Sequence, residues 1–265
     1  MNMTKKALLV VSFGTSYAAT RKKTIEAAEA ALSQAFPDYD LKRAFTSRGV
    51  INKLRKRDQI EIDTVSQAVE KLLAEGYEEV LAQPLHIING AEYHLVLKEL
   101  RPHAEKFAKF SIGFPLLTHH RDYVAVVDAL RAELPARQPD SAVVLMGHGT
   151  EHPADSAYAA LDYVFKDEGL PRVHVGTVEG YPTLDTVIKR LEADKIKNVL
   201  LMPFMLVAGD HAVNDMAGGE ADSWKSILAG RGYKVETRIV GLGELEKIRQ
   251  IYVDHARAAL ENEGE

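Results

Sequence analysis

Short runs of consecutive apolar residues alternate with longer amphipathic stretches along most of this chain. "KALLVVSF" precedes "ATRKKTIEAAEAALSQAF" and "SAVVLMGH" precedes "SAYAALDYVFKDEG", which predicts a strand followed by a helix at each place. "VEKLLAEGYEEVLAQPLHII" reads as a helix followed by a strand. Asp63-Thr64 supplies a helix start and Glu75-Gly76 a helix stop. The runs "ALLVV", "VVLM" and "NVLLMPFMLV" lack two-residue alternation, the pattern of strands covered by helices on both faces. Strand and helix in repeated succession predict an α/β fold with mostly parallel sheets.

The pattern also repeats. Residues 8 to 16, "LLVVSFGTS", align with 143 to 151, "VVLMGHGTE", which sets Phe13 opposite His148. Residues 69 to 92 align without gaps with 188 to 211, so that Pro84 falls on Pro203, Gly90 on Gly209 and Glu92 on His211. "RAELPARQPDSA", with two prolines among polar neighbours, marks a division near Pro139. The expectation is two similar doubly wound domains, 1–138 and 139–265, with the C-terminal helix able to pack back on the N-terminal domain. Ligands of such sheets bind at the C-terminal ends of the strands. The active site is therefore expected in a cleft between the domains.

Composition narrows the chemistry. The 265 residues include no cysteine, which removes disulfides, thiolate metal sites and a Cys nucleophile and leaves His, Asp and Glu as the strong ligands. A net charge of −5 gives no general attraction to nucleic acid or anionic membranes. Nothing approaches a membrane span, and the apolar run at the N-terminus has no adjacent small-residue cleavage site, so a cytoplasmic protein is expected.

The strand ends carry the candidate chemistry. His148 follows "AVVLMG", His211 follows "LMPFMLVAGD", and Glu179 follows "RVHVGTV". Two imidazoles and a carboxylate at three adjacent strand ends can form an open site for cobalt, nickel, iron or zinc, although spacing alone does not separate this from unrelated loop residues. Asp210, Asn214 and Asp215 either orient His211 or cap the next helix. "SFGTS" and "GHGT" are glycine-bearing turns whose amides can hold a carboxylate, without the longer fingerprint of nucleotide sites. His86 lines the cleft or is a structural strand-end residue. His119 and His120 read as a solvated helix start, and His152 as surface. "KRAFTSRGVINKLRKRD" supplies Lys42, Arg43, Arg48, Lys53, Arg55, Lys56 and Arg57 as a local basic patch, with Arg48 and Lys53 nearest the strand end.

The segments "ALLVVSFGTS", "RAFTS", "LHIING", "MGHGT", "MPFMLVAGDHAVNDM", "DSWK" and "GLGE", in that order from Lys5 to about residue 255, resemble the anaerobic-type sirohydrochlorin cobaltochelatases, relatives of the ferrochelatases. That resemblance implies two α/β halves around a tetrapyrrole cleft and ATP-independent insertion of Co²⁺, as substrate, into sirohydrochlorin. Ni²⁺, Fe²⁺ or Zn²⁺ could occupy the same donors, and no organic cofactor is implied. It places the metal on His148, Glu179 and His211, with His148 and Glu92 catalytic. Ser12, Phe13, Gly14, Thr15, His86 and Arg48 are expected to contact the tetrapyrrole. A homo-oligomer is also implied. A nickel or iron chelatase, a non-catalytic tetrapyrrole or metal carrier, and a zinc hydrolase remain as alternatives.

Overall fold

The computed structural model describes residues 4–135 and 138–261. The chain enters on β1 (Lys6–Ser12) and continues through α1 (Ala18–Lys23), α2 (Ile25–Ala35), β2 (Asp40–Phe45), α3 (Arg48–Asp58), α4 (Val65–Ala74), β3 (Glu79–Pro84), α5 (Ala91–Leu100) and β4 (Lys109–Ile112). All neighbours pair in parallel, in the order β2-β1-β3-β4. The single helix expected over 19–36 is two helices. The Thr24 hydroxyl donates to the Thr20 carbonyl at 2.7 Å and its backbone leaves helical geometry, the local competition that threonine offers to a helix. The start read at Asp63-Thr64 is a reciprocal cap: Thr64 Oγ1 accepts from Gln67 N and Gln67 Oε1 accepts from Thr64 N.

The second series runs α6 (His120–Arg131), β5 (Ser141–Gly147), α7 (Ser156–Asp167), β6 (Val173–Thr177), α8 (Leu184–Ala193), β7 (Asn198–Pro203), α9 (Trp224–Gly230) and β8 (Lys234–Thr237). Its sheet is again wholly parallel, in the order β6-β5-β7-β8. The final helix, α10 (Glu246–Glu261), packs on α2, β3 and β4. One compact unit, the first half, therefore takes the chain up to Thr118 and resumes at Glu246; the second half is His119–Leu245. The division falls at Thr118/His119, not near Pro139. The physical reason lies in the proline-bearing segment itself: Arg238 donates to the Glu133 carbonyl and Arg172 to the Gln138 carbonyl, so that segment is fastened to the second sheet, as α6 is through α7.

In each sheet the second-listed strand and its third neighbour send the chain to opposite faces. One face of the first sheet packs Leu9, Val11, Val80 and Ala82 against Val65, Val69 and Leu72 of α4 and Val96 and Leu100 of α5. The other face holds α2 and α10, where the buried Tyr252 hydroxyl donates to the Leu85 carbonyl at 3.1 Å. In the second sheet Val144, Met146 and Leu201 pack on Val187, Ile188 and Leu191 of α8 and on Trp224 and Leu228 of α9. Gly147 points to the opposite side of its strand, onto the ring of Tyr158 in α7. Loops leaving β5 and β7 thus diverge, as do those leaving β1 and β3, and a crevice opens at the strand ends between each pair.

Candidate active site

The second half gathers the candidate ligands at the end of β5. Past the strand ends the ladder continues, with Val178 N donating to Gly147 O at 3.1 Å and Glu179 N to His148 O at 2.8 Å, so His148 and Glu179 are neighbours by backbone alone. Gly149 then turns with φ +82°, and a Cβ there would stand 2.6 Å from Gly180 N. Only glycine allows this left-handed turn against the adjoining loop. From β7 the chain reaches His211 at the head of a π-helical turn, Ala212–Met216.

The two imidazoles meet edge to face, with ring centroids 4.7 Å apart and planes at 89°. His148 Nδ1 contacts the Gly149 carbonyl at 3.0 Å, and His211 Nδ1 contacts Asp215 Oδ2 at 2.5 Å. A carbonyl and a carboxylate only accept, so each contact sets a hydrogen on Nδ1, and in the neutral imidazole the lone pair is then on Nε2. Glu179 Oε2 lies 3.7 Å from His148 Nδ1. The expected donors His148, Glu179 and His211 therefore lie together, but not as a closed cage. Glu179 stands at the Nδ1 edge of His148 while the lone pairs are on Nε2, and among the described residues no three His, Asp or Glu side chains form a ready metal-holding group. The side chains of His148, His211 and Glu179 are 46%, 36% and 58% exposed. They are open to exchange with solvent and ligand. Of the three residues expected to support His211, Asp215 touches it, whereas Asp210 accepts from Asn214 Nδ2 at 3.0 Å.

The first half presents a different set. Phe13, at the end of β1, is 51% exposed. Ser12 and Thr15 turn inward instead: Thr15 Oγ1 accepts from Tyr17 N at 3.2 Å, and both side chains are buried. Gly14 takes φ +92°, with the Phe45 ring filling the space of a Cβ. Of the expected tetrapyrrole contacts in this turn, Phe13 alone offers an exposed side chain. The ring nitrogens of His86 are buried without a protein partner, and burial pushes its pKa down to about 4, so it is neutral at physiological pH and is no cation for a carboxylate. Glu92, in the first turn of α5, accepts from Thr46 Oγ1 at 2.7 Å.

The basic run is largely matched within the first half. Arg43 pairs with Glu29, Lys42 with Glu75, Arg55 with Glu61 and Arg57 with Asp58. Lys53 lies over the Tyr17 ring, 5.9 Å from its centroid, with its charge felt by Asp58. His119 opens α6 through a bond from its amide to Asp122 Oδ2 at 2.6 Å, with His120 the first helical residue. His152 is a cap, its Nδ1 accepting from Ala154 N at 3.1 Å.

Two residues escaped the sequence reading. Thr46 is separated from Glu92 by 46 positions. Asp155 accepts from Thr150 N at 3.0 Å and from Tyr181 N at 2.6 Å, which joins the loop of His148 to the loop of Glu179. The only signal for Asp155 was an acidic residue ahead of a helix, which ordinarily reads as a cap.

With this geometry in place, comparison with known proteins is decisive. The family profile described as Cobalt chelatase (CbiK) matches residues 6–261. The chain belongs to this cobalt chelatase family. It is 48% identical over 256 residues to the sirohydrochlorin cobaltochelatase of Salmonella typhimurium, covering 97% of both chains. It is 38% identical over 261 residues to sirohydrochlorin cobaltochelatase CbiKC of Nitratidesulfovibrio vulgaris, covering 97% of this chain and 92% of that one. Among solved structures, SirB from Bacillus subtilis with Fe³⁺ superposes with a TM-score of 0.63 at 16% identity, covering 96% of this chain and 95% of that one. CbiX, the terminal enzyme of siroheme biosynthesis in denitrifying bacteria, gives 0.52 at 16% identity, covering 96% of this chain and 99% of that one. At these identities the superpositions speak for the fold, which this cobalt chelatase shares with them. Among the described residues no helix is long and apolar enough to cross a membrane.

Proposed function

We propose that this chelatase inserts Co²⁺ into sirohydrochlorin, releasing two protons and using no ATP. The observation that carries the reading is the pair of perpendicular imidazoles, each held through Nδ1, on a chain 48% identical to a sirohydrochlorin cobaltochelatase. Co²⁺ is a substrate in this reaction, so the site must release it as readily as it takes it. His148 and His211 offer Nε2 and Glu179 offers a carboxylate, a set without thiolate whose members are exposed and exchangeable. As the metal passes to the ring nitrogens, the lone pair it vacates on His148 accepts one of the two pyrrole protons, and the other leaves to solvent. The Glu179 carboxylate beside Nδ1 attracts the positive charge that results. Asp215 holds the His211 ring in one orientation throughout. Glu92, held by Thr46, is the acid that tunes which metal enters. Phe13 and Arg48 meet the tetrapyrrole, through an apolar ring and a carboxylate fork respectively.

The same reading places the enzyme in the cytoplasm as a homo-oligomer, with Ni²⁺, Fe²⁺ or Zn²⁺ able to occupy the donors and no organic cofactor required. An anaerobic absorbance assay of sirohydrochlorin with Co²⁺, Ni²⁺ and Fe²⁺ in turn tests it. Catalytic formation of cobalt-sirohydrochlorin, fastest with Co²⁺, is expected. Stoichiometric binding that stops without metallation would instead describe a carrier.

A further inference from the structure

We propose that Asp155 is a positioning residue that sets the spacing between His148 and Glu179 by clamping the two loops that carry them. Asp155 closes the same β5–α7 connection that begins at His148, at the end of a short 3-10 turn just ahead of α7. One oxygen of its carboxylate accepts the amide of Thr150, two residues after His148, at 3.0 Å. The other accepts the amide of Tyr181, two residues after Glu179, at 2.6 Å. A single carboxylate thus ties both chains just beyond the functional side chains, and each bond is charge-assisted.

The fit around the clamp is close on every side. A Cβ on Gly180 would stand 2.3 Å from Asp155 Oδ1 and 2.5 Å from Oδ2, so the loop can reach the carboxylate only because position 180 is glycine. A Cβ on Gly149 would likewise stand 2.6 Å from the Gly180 amide nitrogen. The ladder bond from Glu179 N to His148 O fixes the backbones on one side of the pair, and Asp155 fixes them on the other. Without the carboxylate, two amides lose their acceptor and only the ladder bonds hold the loops in register. The corresponding position of the first half is Thr20, inside α1, and among the described residues no such bridge is made there.

This inference rests on the metal-site reading of His148 and Glu179, and its test separates the two. Co²⁺ binding is measured on the protein without tetrapyrrole, from the visible d–d absorption, alongside kcat and KM for Co²⁺ and for sirohydrochlorin in metallation. Asp155→Ala and Asp155→Asn should each weaken Co²⁺ binding by roughly tenfold, the loss typical of removing a group that orients a ligand. The KM for Co²⁺ should rise in step, with the KM for sirohydrochlorin unchanged, a split that general loosening of the fold would not produce. Gly180→Ala, which leaves Asp155 in place but pushes its carboxylate aside, should cause a similar loss. The double variant Asp155→Ala/Gly180→Ala should be no worse than Asp155→Ala alone, because both act on one contact. Co²⁺ affinity within twofold of wild type in both Asp155 variants overturns the proposal, as does strict additivity with Gly180→Ala. Co²⁺ binding by the wild type without metallation overturns the chelatase reading and leaves the binding comparison intact. Failure of the wild type to bind Co²⁺ overturns both.

Discussion

At the end of β1 stands Phe13, half exposed, and at the end of β5, in the same backbone place, stands His148. The equivalence is geometric as well as sequential. Ser47 N donates to Phe13 O at 3.2 Å as Glu179 N donates to His148 O, and Leu85 N donates to Val11 O at 2.7 Å as Phe204 N donates to Met146 O at 2.7 Å. The glycines that follow, Gly14 and Gly149, share the left-handed conformation. Thr15 Oγ1 accepts from Tyr17 N and Thr150 Oγ1 accepts from His152 N, both at 3.2 Å. On this shared scaffold the first half places Phe13, Ser47 and Glu92 where the second places His148, Glu179 and His211. Loop geometry is common to both halves, and in the proposed function the metal-holding side chains belong to one of them.

The largest test of this contrast removes the imidazoles. His148→Ala or His211→Ala should lower the metallation rate by roughly 10²- to 10⁴-fold. The double variant should fall little further, since groups that act as one unit are not additive. Phe13→Ala should act on the KM for sirohydrochlorin and leave kcat near wild type. Steady-state kinetics with all four proteins decide it, and a Phe13→Ala defect in kcat equal to that of His148→Ala would erase the distinction between the halves.

A smaller effect concerns what the halves have in common, since each buries one histidine whose ring nitrogens lack a protein partner, His86 and His174. Burial lowers the pKa of His174 to about 4, chiefly by desolvation, with Lys166 adding to it. Its folded value lies below its unfolded one, so the unfolded chain takes the proton first as pH falls. The contribution of His174 to stability is thus constant above the unfolded value near 6.5, declines between there and about 4, and levels off below. Urea unfolding across this range should show it, and His174→Phe should flatten the curve, leaving the decline due to His86.

The smallest effect is expected at Glu92. Glu92→Gln should keep the fold and alter the cobalt-to-iron rate ratio, and Thr46→Val should alter it in the same direction by the few-fold worth of one hydrogen bond, about 0.5–1.5 kcal/mol. Identical ratios for every metal in both variants would remove Glu92 from the chemistry.

Much of this was legible in the sequence because it rests on local periodicity. Uninterrupted apolar runs gave buried parallel strands, and the alignment of Pro84 with Pro203 marked the equivalent strand ends of β3 and β7. What stayed hidden depends on contacts between distant positions. The break at Thr24 turns on one hydroxyl bonding backward, and the proline-bearing segment after α6 looked like a linker because its fastening by Arg172 and Arg238 lies far along the chain. The inward turn of Ser12 and Thr15 follows from strand register and a local threonine turn, which residue type does not reveal. The free Nε2 on each imidazole depends on a carbonyl and on Asp215, of which the sequence offered only the latter as one of three candidates.

The return of α10 to the first half has a consequence for the order in which the chain folds. The second half is one continuous stretch, so every contact its core needs is present once Leu245 has been made. The first half still lacks the helix that seats Tyr252, Ile248 and Ile251 over α2 and β3. Closing that gap requires the chain to bring α10 back across the whole length of the second half, a non-local step whose loop-closure cost slows folding far more than it weakens the finished structure. During synthesis one face of the first sheet therefore waits with only α2 upon it, and it is the segment most exposed to misassociation until the last helix arrives.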